Sequence, residues 1–155
     1  MRKHLTTIAL ALSGVILSTT SAWADNKAVV ADELAGFLEF SDYGGGTVFA
    51  EQLPADQYPK MMVIDVRDPA QYAKEHIPGA INIEWRQVLA QRSRIPKDKT
   101  VLVYCNTGTL SAQAGFALRA TGHDNVRILQ GGMSEWKAKG GLQANAKAAG
   151  TVPQH

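Results

Sequence analysis

The sequence of 155 residues contains one cysteine, Cys105. A single cysteine excludes an internal disulfide, so any core must hold by packing alone. His4, His123 and His155 show no metal-ligand spacing, and no metal is expected. The glycine run Tyr43-Gly44-Gly45-Gly46 lacks the Lys-Ser/Thr ending of a phosphate-binding loop and reads as a turn. No apolar run is long enough to span a bilayer comfortably. The longest, residues 8–17, is followed by no cysteine, which excludes lipoprotein attachment.

An excess of charge is also missing. Arg2, Lys3 and His4 precede the apolar stretch, and a small, polar segment ends in Ala22-Trp23-Ala24. This is the layout of a secretory signal peptide over residues 1–24, cleaved after Ala24. Its removal takes Arg2 and Lys3 from the sixteen basic residues, leaving fourteen against fourteen acidic ones. A neutral mature chain gives no reason to expect nucleic acid or, after cleavage, a membrane as partner. The expected location is the periplasm. About 130 mature residues suffice for one domain with a real core.

Residues 25–46 read as a lead-in, loose over 25–30, with helical spacing from Asp32 to Phe40 through Leu34, Phe37 and Leu38. Strands are expected over residues 47–49, 61–66, 80–83, 101–104 and 126–129. Helices are expected over 51–53, from the N-cap Asp68 and Pro69 to Lys74, and over 85–91, 111–120 and 133–139. The alternation argues a three-layer α/β fold with a mostly parallel sheet over residues 47–140. The Ala-, Gly- and Gln-rich end, residues 141–155, reads as a disordered tail.

Cys105 closes the apolar run Val101-Leu102-Val103-Tyr104 and opens the loop Asn106-Thr107-Gly108-Thr109-Leu110. In a parallel sheet the site lies beyond the carboxyl ends of the strands. A thiol at such a strand-to-helix turn meets backbone N–H groups and the positive end of a helix dipole, which favour the thiolate. The competing fate is a buried cysteine acting as a small hydrophobe. An unpaired thiol in an oxidising compartment is a liability unless buried or used, which tips the balance towards use.

Three stretches together resemble the signatures of the rhodanese homology domain. They are Asp65-Val66-Arg67-Asp68 through Glu75-His76-Ile77-Pro78-Gly79-Ala80-Ile81-Asn82-Ile83, then Val103-Tyr104-Cys105-Asn106-Thr107-Gly108, then Gly131-Gly132-Met133-Ser134-Glu135-Trp136. The Tyr-Cys-Asn opening and the leader resemble small single-domain periplasmic thiosulfate sulfurtransferases of the phage-shock type. The resemblance implies a five-stranded sheet flanked by helices and sulfane-sulfur transfer through a cysteine persulfide, with no separate cofactor. It makes Cys105 the nucleophile. It wraps the sulfur in the main-chain N–H groups of Asn106, Thr107, Gly108, Thr109, Leu110 and Ser111. The partners implied are a small sulfur-containing anion such as thiosulfate as donor and cyanide or a thiol as acceptor, with a protein donor or acceptor as a further option.

The sequence departs from the family pattern in two ways. Glu75 stands where a glycine is usual before the histidine. The loop usually carries a basic residue that helps to hold an anionic donor, and here Asn106, Thr107, Thr109 and Leu110 are uncharged. Arg86 and Arg119 are candidates for the missing charge, against the commoner fate of solvated arginines. Asp65 and Arg67 either orient a donor or, the favoured reading, form a structural pair that ties a strand to a neighbouring loop. His76 packs or caps the turn before Pro78, and Trp136 belongs to the core. Thr107 and Thr109 offer hydroxyl donors or ordinary loop polarity.

A phosphatase or arsenate reductase needs an arginine six residues after its cysteine, and that position is Ser111. A redox-sensing thiol would lack a resolving cysteine. The remaining alternative is a non-catalytic or partner-loaded sulfur carrier or binding module with little thiosulfate activity.

Overall fold

The run Val101-Leu102-Val103-Tyr104 is apolar throughout because the strand it forms is covered on both faces. A computed structural model describes residues 19–141. Most of the expected leader and nearly all of the expected tail lie outside the described residues. The chain divides into two units after Phe40. The first contains the helix α1 (Thr19–Glu39). Residues 25–30, read from the sequence as loose, are helical. The stretch Asp25-Asn26-Lys27-Ala28-Val29-Val30 has no glycine or proline to interrupt the helical pattern that follows it. No described helix is long and apolar enough to cross a membrane.

The second unit carries the strands β1 (Thr47–Val48), β2 (Met62–Asp65), β3 (Ile81–Asn82), β4 (Val101–Tyr104) and β5 (Val126–Leu129). Its helices are α2 (Pro69–Lys74), α3 (Thr109–Ala120) and α4 (Gly132–Ala138). All five strands run parallel in the order β1-β5-β4-β2-β3. The fold class agrees with the sequence reading. Residues 85–91, expected as a helix, form only a 3₁₀ turn at Trp85–Gln87. The amide of Trp85 is fastened to the Val66 carbonyl, and Val88 is buried, so tertiary contacts override helical spacing.

Alternation along the strands builds two cores. Val101, Val103 and Cys105 face one side with Ile64, Ile128, and Ala114 and Leu118 of α3. Leu102 and Tyr104 face the other with Val63, Ile77, Leu129 and Met133 of α4. From β2 the chain passes to β3 on one side, and β4 then pairs with the opposite side of β2. This reversal opens a crevice at the carboxyl ends of β2 and β4, where open α/β sheets bind ligands. Asp65 and Tyr104 are paired in register at that edge, so the residues after each strand emerge together.

Candidate active site

Cys105 follows the last residue of β4 and is 2% exposed. Gly108 has φ 105°, a left-handed conformation that costs a glycine little, and it caps the start of α3. The bend sends the chain back over the sulfur. The Gly108 N–H donates to Cys105 Sγ at 3.2 Å, and the buried Ser111 hydroxyl lies 3.6 Å from the same atom. Ser111 Oγ is also 3.0 Å from the Gly108 carbonyl. A hydroxyl has one proton, so Ser111 donates either to the carbonyl or to the sulfur, and a thiolate draws it to the sulfur. Burial pushes the Cys105 pKa up. Donation from the Ser111 N–H and hydroxyl and from the Thr107 and Gly108 N–H groups outweighs burial and holds it below the ordinary thiol value. The twelve-residue helix α3 adds its positive end.

A second helix sets the direction of the loop. The Met133 N–H donates to the Cys105 carbonyl at 2.8 Å, and the Ser134 N–H donates to the Asn106 carbonyl at 3.0 Å. These are first-turn donors of α4 that would otherwise lack partners. Among the described residues there are no cis peptides, so within each unit the C=O and N–H point in opposite directions. Holding the Asn106 carbonyl towards α4 therefore turns the Thr107 N–H away from α4, onto the sulfur side. Gly132 permits this closeness. A Cβ there would overlap the Cys105 carbonyl oxygen and come within 2.8 Å of the Asn106 carbonyl carbon, and its φ is 56°.

A buried ion pair fixes the other flank. Arg67 Nε donates to both Asp65 oxygens, at 2.9 and 3.0 Å, and Nη2 to Asp65 Oδ2 and, at 2.6 Å, to the Glu75 carbonyl. Arg67 Nη1 reaches Asn106 Oδ1 at 3.1 Å, and Asn106 Nδ2 donates to Gln71 Oε1 at 2.7 Å. Hydrogen bonding to Asp65 raises the Arg67 pKa further. The guanidinium lies 5.7 Å from the centroid of the Tyr104 ring. The Tyr104 hydroxyl in turn accepts from the Ile77 N–H at 2.9 Å. Arg67 is thus a positioning residue for Asn106. Its charge is spent on Asp65.

The structure brings Asn106, Thr107, Gly108 and Ser111 around Cys105. Thr109 and Leu110 fall in the first turn of α3, and Leu110 packs against the core on the Cys105 side. Neither the Thr107 nor the Thr109 hydroxyl bonds the sulfur. That donor is Ser111, whose hydroxyl the sequence reading did not single out. A small polar residue one turn into a helix that follows a cysteine was the available signal. The exposed Arg86 pairs with Glu84 at 2.9 Å and makes no side-chain bond to the loop among the described residues. Arg119 sits near the far end of α3, about 15 Å along its axis from Thr109, where it pairs with Asp42. His76 stacks on Tyr72 with ring centroids 4.1 Å apart, and its Nδ1 meets the Tyr72 carbonyl at 2.9 Å. Trp136 packs partly buried against the core that contains Met133. Among the described residues no His, Cys, Asp or Glu cluster is built to hold a metal ion.

The rhodanese-like domain family matches residues 49–139, more than half of the chain. A sulfurtransferase of Allochromatium vinosum is 35% identical over 80 residues, which are 52% of this chain and 75% of that protein. The thiosulfate sulfurtransferase PspE of Escherichia coli is 46% identical over 65 residues, 41% of this chain and 62% of PspE. The solution structure of a rhodanese-like domain from Anabaena is similar with a TM-score of 0.56 at 25% identity, over 71% of this chain and 86% of that one.

Proposed function

Because the chain belongs to the rhodanese-like domain family, we propose that it is a sulfurtransferase that carries sulfane sulfur on Cys105 as a persulfide. Sulfur transfer is the activity named for its relatives. The donor in this reading is a small sulfur-containing anion such as thiosulfate, and the acceptor is cyanide or a thiol. The Cys105 thiolate attacks the outer sulfur of thiosulfate, an S–S bond forms, and the donor S–S bond breaks to release sulfite. Cyanide then takes the terminal sulfur as thiocyanate, which restores the thiolate.

The observation that carries the reading is the convergence of the Gly108 N–H and the Ser111 hydroxyl on Sγ, with the Thr107 and Ser111 N–H groups behind them. These are fixed dipoles aimed at a sulfur that is anionic as it attacks and becomes anionic again when the outer sulfur leaves it. They stabilise it without a titratable base. With no cation in the loop, the donors alone would have to offset the negative charge of thiosulfate.

The same reading makes residues 1–24 a leader removed on export to the periplasm. Cleavage after Ala24 would leave Asp25 as the first residue of the remaining helix, where an acidic side chain suits the dipole. N-terminal sequencing of protein from a periplasmic fraction tests this, and an intact Met1 would refute it.

Intact mass before and after thiosulfate treatment, in parallel with Cys105→Ser, tests the chemistry. The expected result is a gain of one sulfur atom that cyanide removes and the variant never shows. A folded protein whose Cys105 alkylates readily yet takes no sulfur rules out thiosulfate as the donor.

A further inference from the structure

At the amino-terminal end of the sheet, a β-strand away from Cys105, lies a cleft of about 540 Å³. It is lined by residues that enter β4 and β5, with Arg92, Ser93, Lys97 and His123 contributing its polar groups. β4 has four residues, so roughly 13 Å of strand separates this cleft from the thiol. No carboxylate lines it.

The polar groups here are donors with spare capacity. Lys97 forms no ion pair or hydrogen bond among the described residues, and neither does the Ser93 hydroxyl. Arg92 spends one N–H on the Leu89 carbonyl at 2.8 Å, leaving the rest of its fork available. His123 is 3% exposed, and its ring makes no hydrogen bond to the protein. Its Nδ1 is fully enclosed without a partner. An enclosed Nδ1 cannot itself reach a ligand, so the spare donors that face the cleft are those of Lys97, Arg92 and Ser93, with the His123 ring forming part of the wall.

We propose that this cleft binds an oxyanion, a phosphate or sulfate group borne by a small molecule. Two cationic side chains and a hydroxyl, with no acidic residue among them, suit an anion that accepts several hydrogen bonds. The cleft has the size of ordinary small-molecule sites, so the oxyanion is one end of a larger ligand. Binding here leaves Cys105 and its loop untouched, and the site stands whether or not the chain transfers sulfur.

The test is a titration of the isotope-labelled chain with inorganic phosphate at constant ionic strength, followed by amide chemical shifts. Saturable shifts at Ser93, Lys97 and His123 are expected. The affinity should fall at least fivefold in Lys97→Ala and in Arg92→Ala, both exposed positions that leave the core alone. Lys74→Ala, which removes one positive charge elsewhere, should leave it unchanged. Shifts that are absent, linear in phosphate, or confined to the Cys105 loop would overturn the site. An equal loss in Lys74→Ala would reduce it to general charge attraction.

Discussion

The Met133 amide donates to the carbonyl of Cys105 at 2.8 Å, so the helix that closes the domain holds the main chain of the residue that carries the thiol. The pair of glycines before Met133 makes this possible. Gly132 brings the start of α4 into contact with the Cys105 and Asn106 peptides at a distance that a side chain forbids.

Gly132→Ala is therefore expected to act at a distance in sequence from the thiol. Positive φ and the overlap with backbone together should cost about 1–3 kcal/mol. Denaturant unfolding measures that loss. Alkylation of Cys105 should slow as well, because the loop N–H groups lose their aim. A variant with wild-type stability and alkylation would show that α4 does not set the loop.

The lowered pKa of Cys105 has a definite sign. Thiolate is favoured in the folded state, so the rate of iodoacetamide alkylation against pH should turn up below the ordinary thiol range. The linked stabilisation is fully present above the unfolded thiol pKa and is lost as pH falls through the folded one. Ser111→Ala removes one donor and moves the inflection upward, with alkylation at neutral pH falling by about threefold to tenfold. An unmoved inflection would leave the backbone N–H groups as the sole cause.

Asp65→Ala leaves the Arg67 guanidinium buried without its counter-charge. Breaking a buried pair from one side costs about 3–5 kcal/mol. The double variant Asp65→Ala/Arg67→Met should recover part of that stability in denaturant unfolding. It should not recover the hold on Asn106, and altered Cys105 alkylation in the double variant is the readout.

Tyr104→Phe keeps the ring and deletes the acceptor of the Ile77 N–H. A buried donor left without a partner costs about 1–3 kcal/mol. Amide hydrogen exchange at Ile77 should accelerate beyond the change at neighbouring buried amides, and an unchanged rate would mean that water replaces the hydroxyl.

Much of this was legible in the residues. The strand at Val101–Tyr104 declared itself by being apolar at every position, and Asp68 announced α2 by accepting from the Ala70 and Gln71 amides as an N-cap does. Cys105 was placed at a strand end by its apolar run alone. The rest lay in pairings that local pattern does not encode. Arg67 and Asn106 are 39 positions apart, and Ile77 and Tyr104 are 27 apart. The parallel register of β2 and β4 brings the first pair together, and the connection from α2 to β3 carries Ile77 to the Tyr104 hydroxyl. The short 3₁₀ turn at Trp85–Gln87 escaped for a related reason, since Trp85 and Val88 answer to the core and not to helical periodicity.

On the proposed reading, the depth of Cys105 decides which sulfur of its persulfide a reagent would meet. With Cys105 2% exposed, an outer sulfur attached about 2 Å further out would be the atom presented to the surroundings. Attack there returns the thiolate and completes a transfer. Attack on the inner sulfur would couple the acceptor to the protein and expel hydrosulfide, and the packing that closes over Sγ removes that route. Burial, which alone would make a thiol inert, thus becomes a source of regiochemical fidelity.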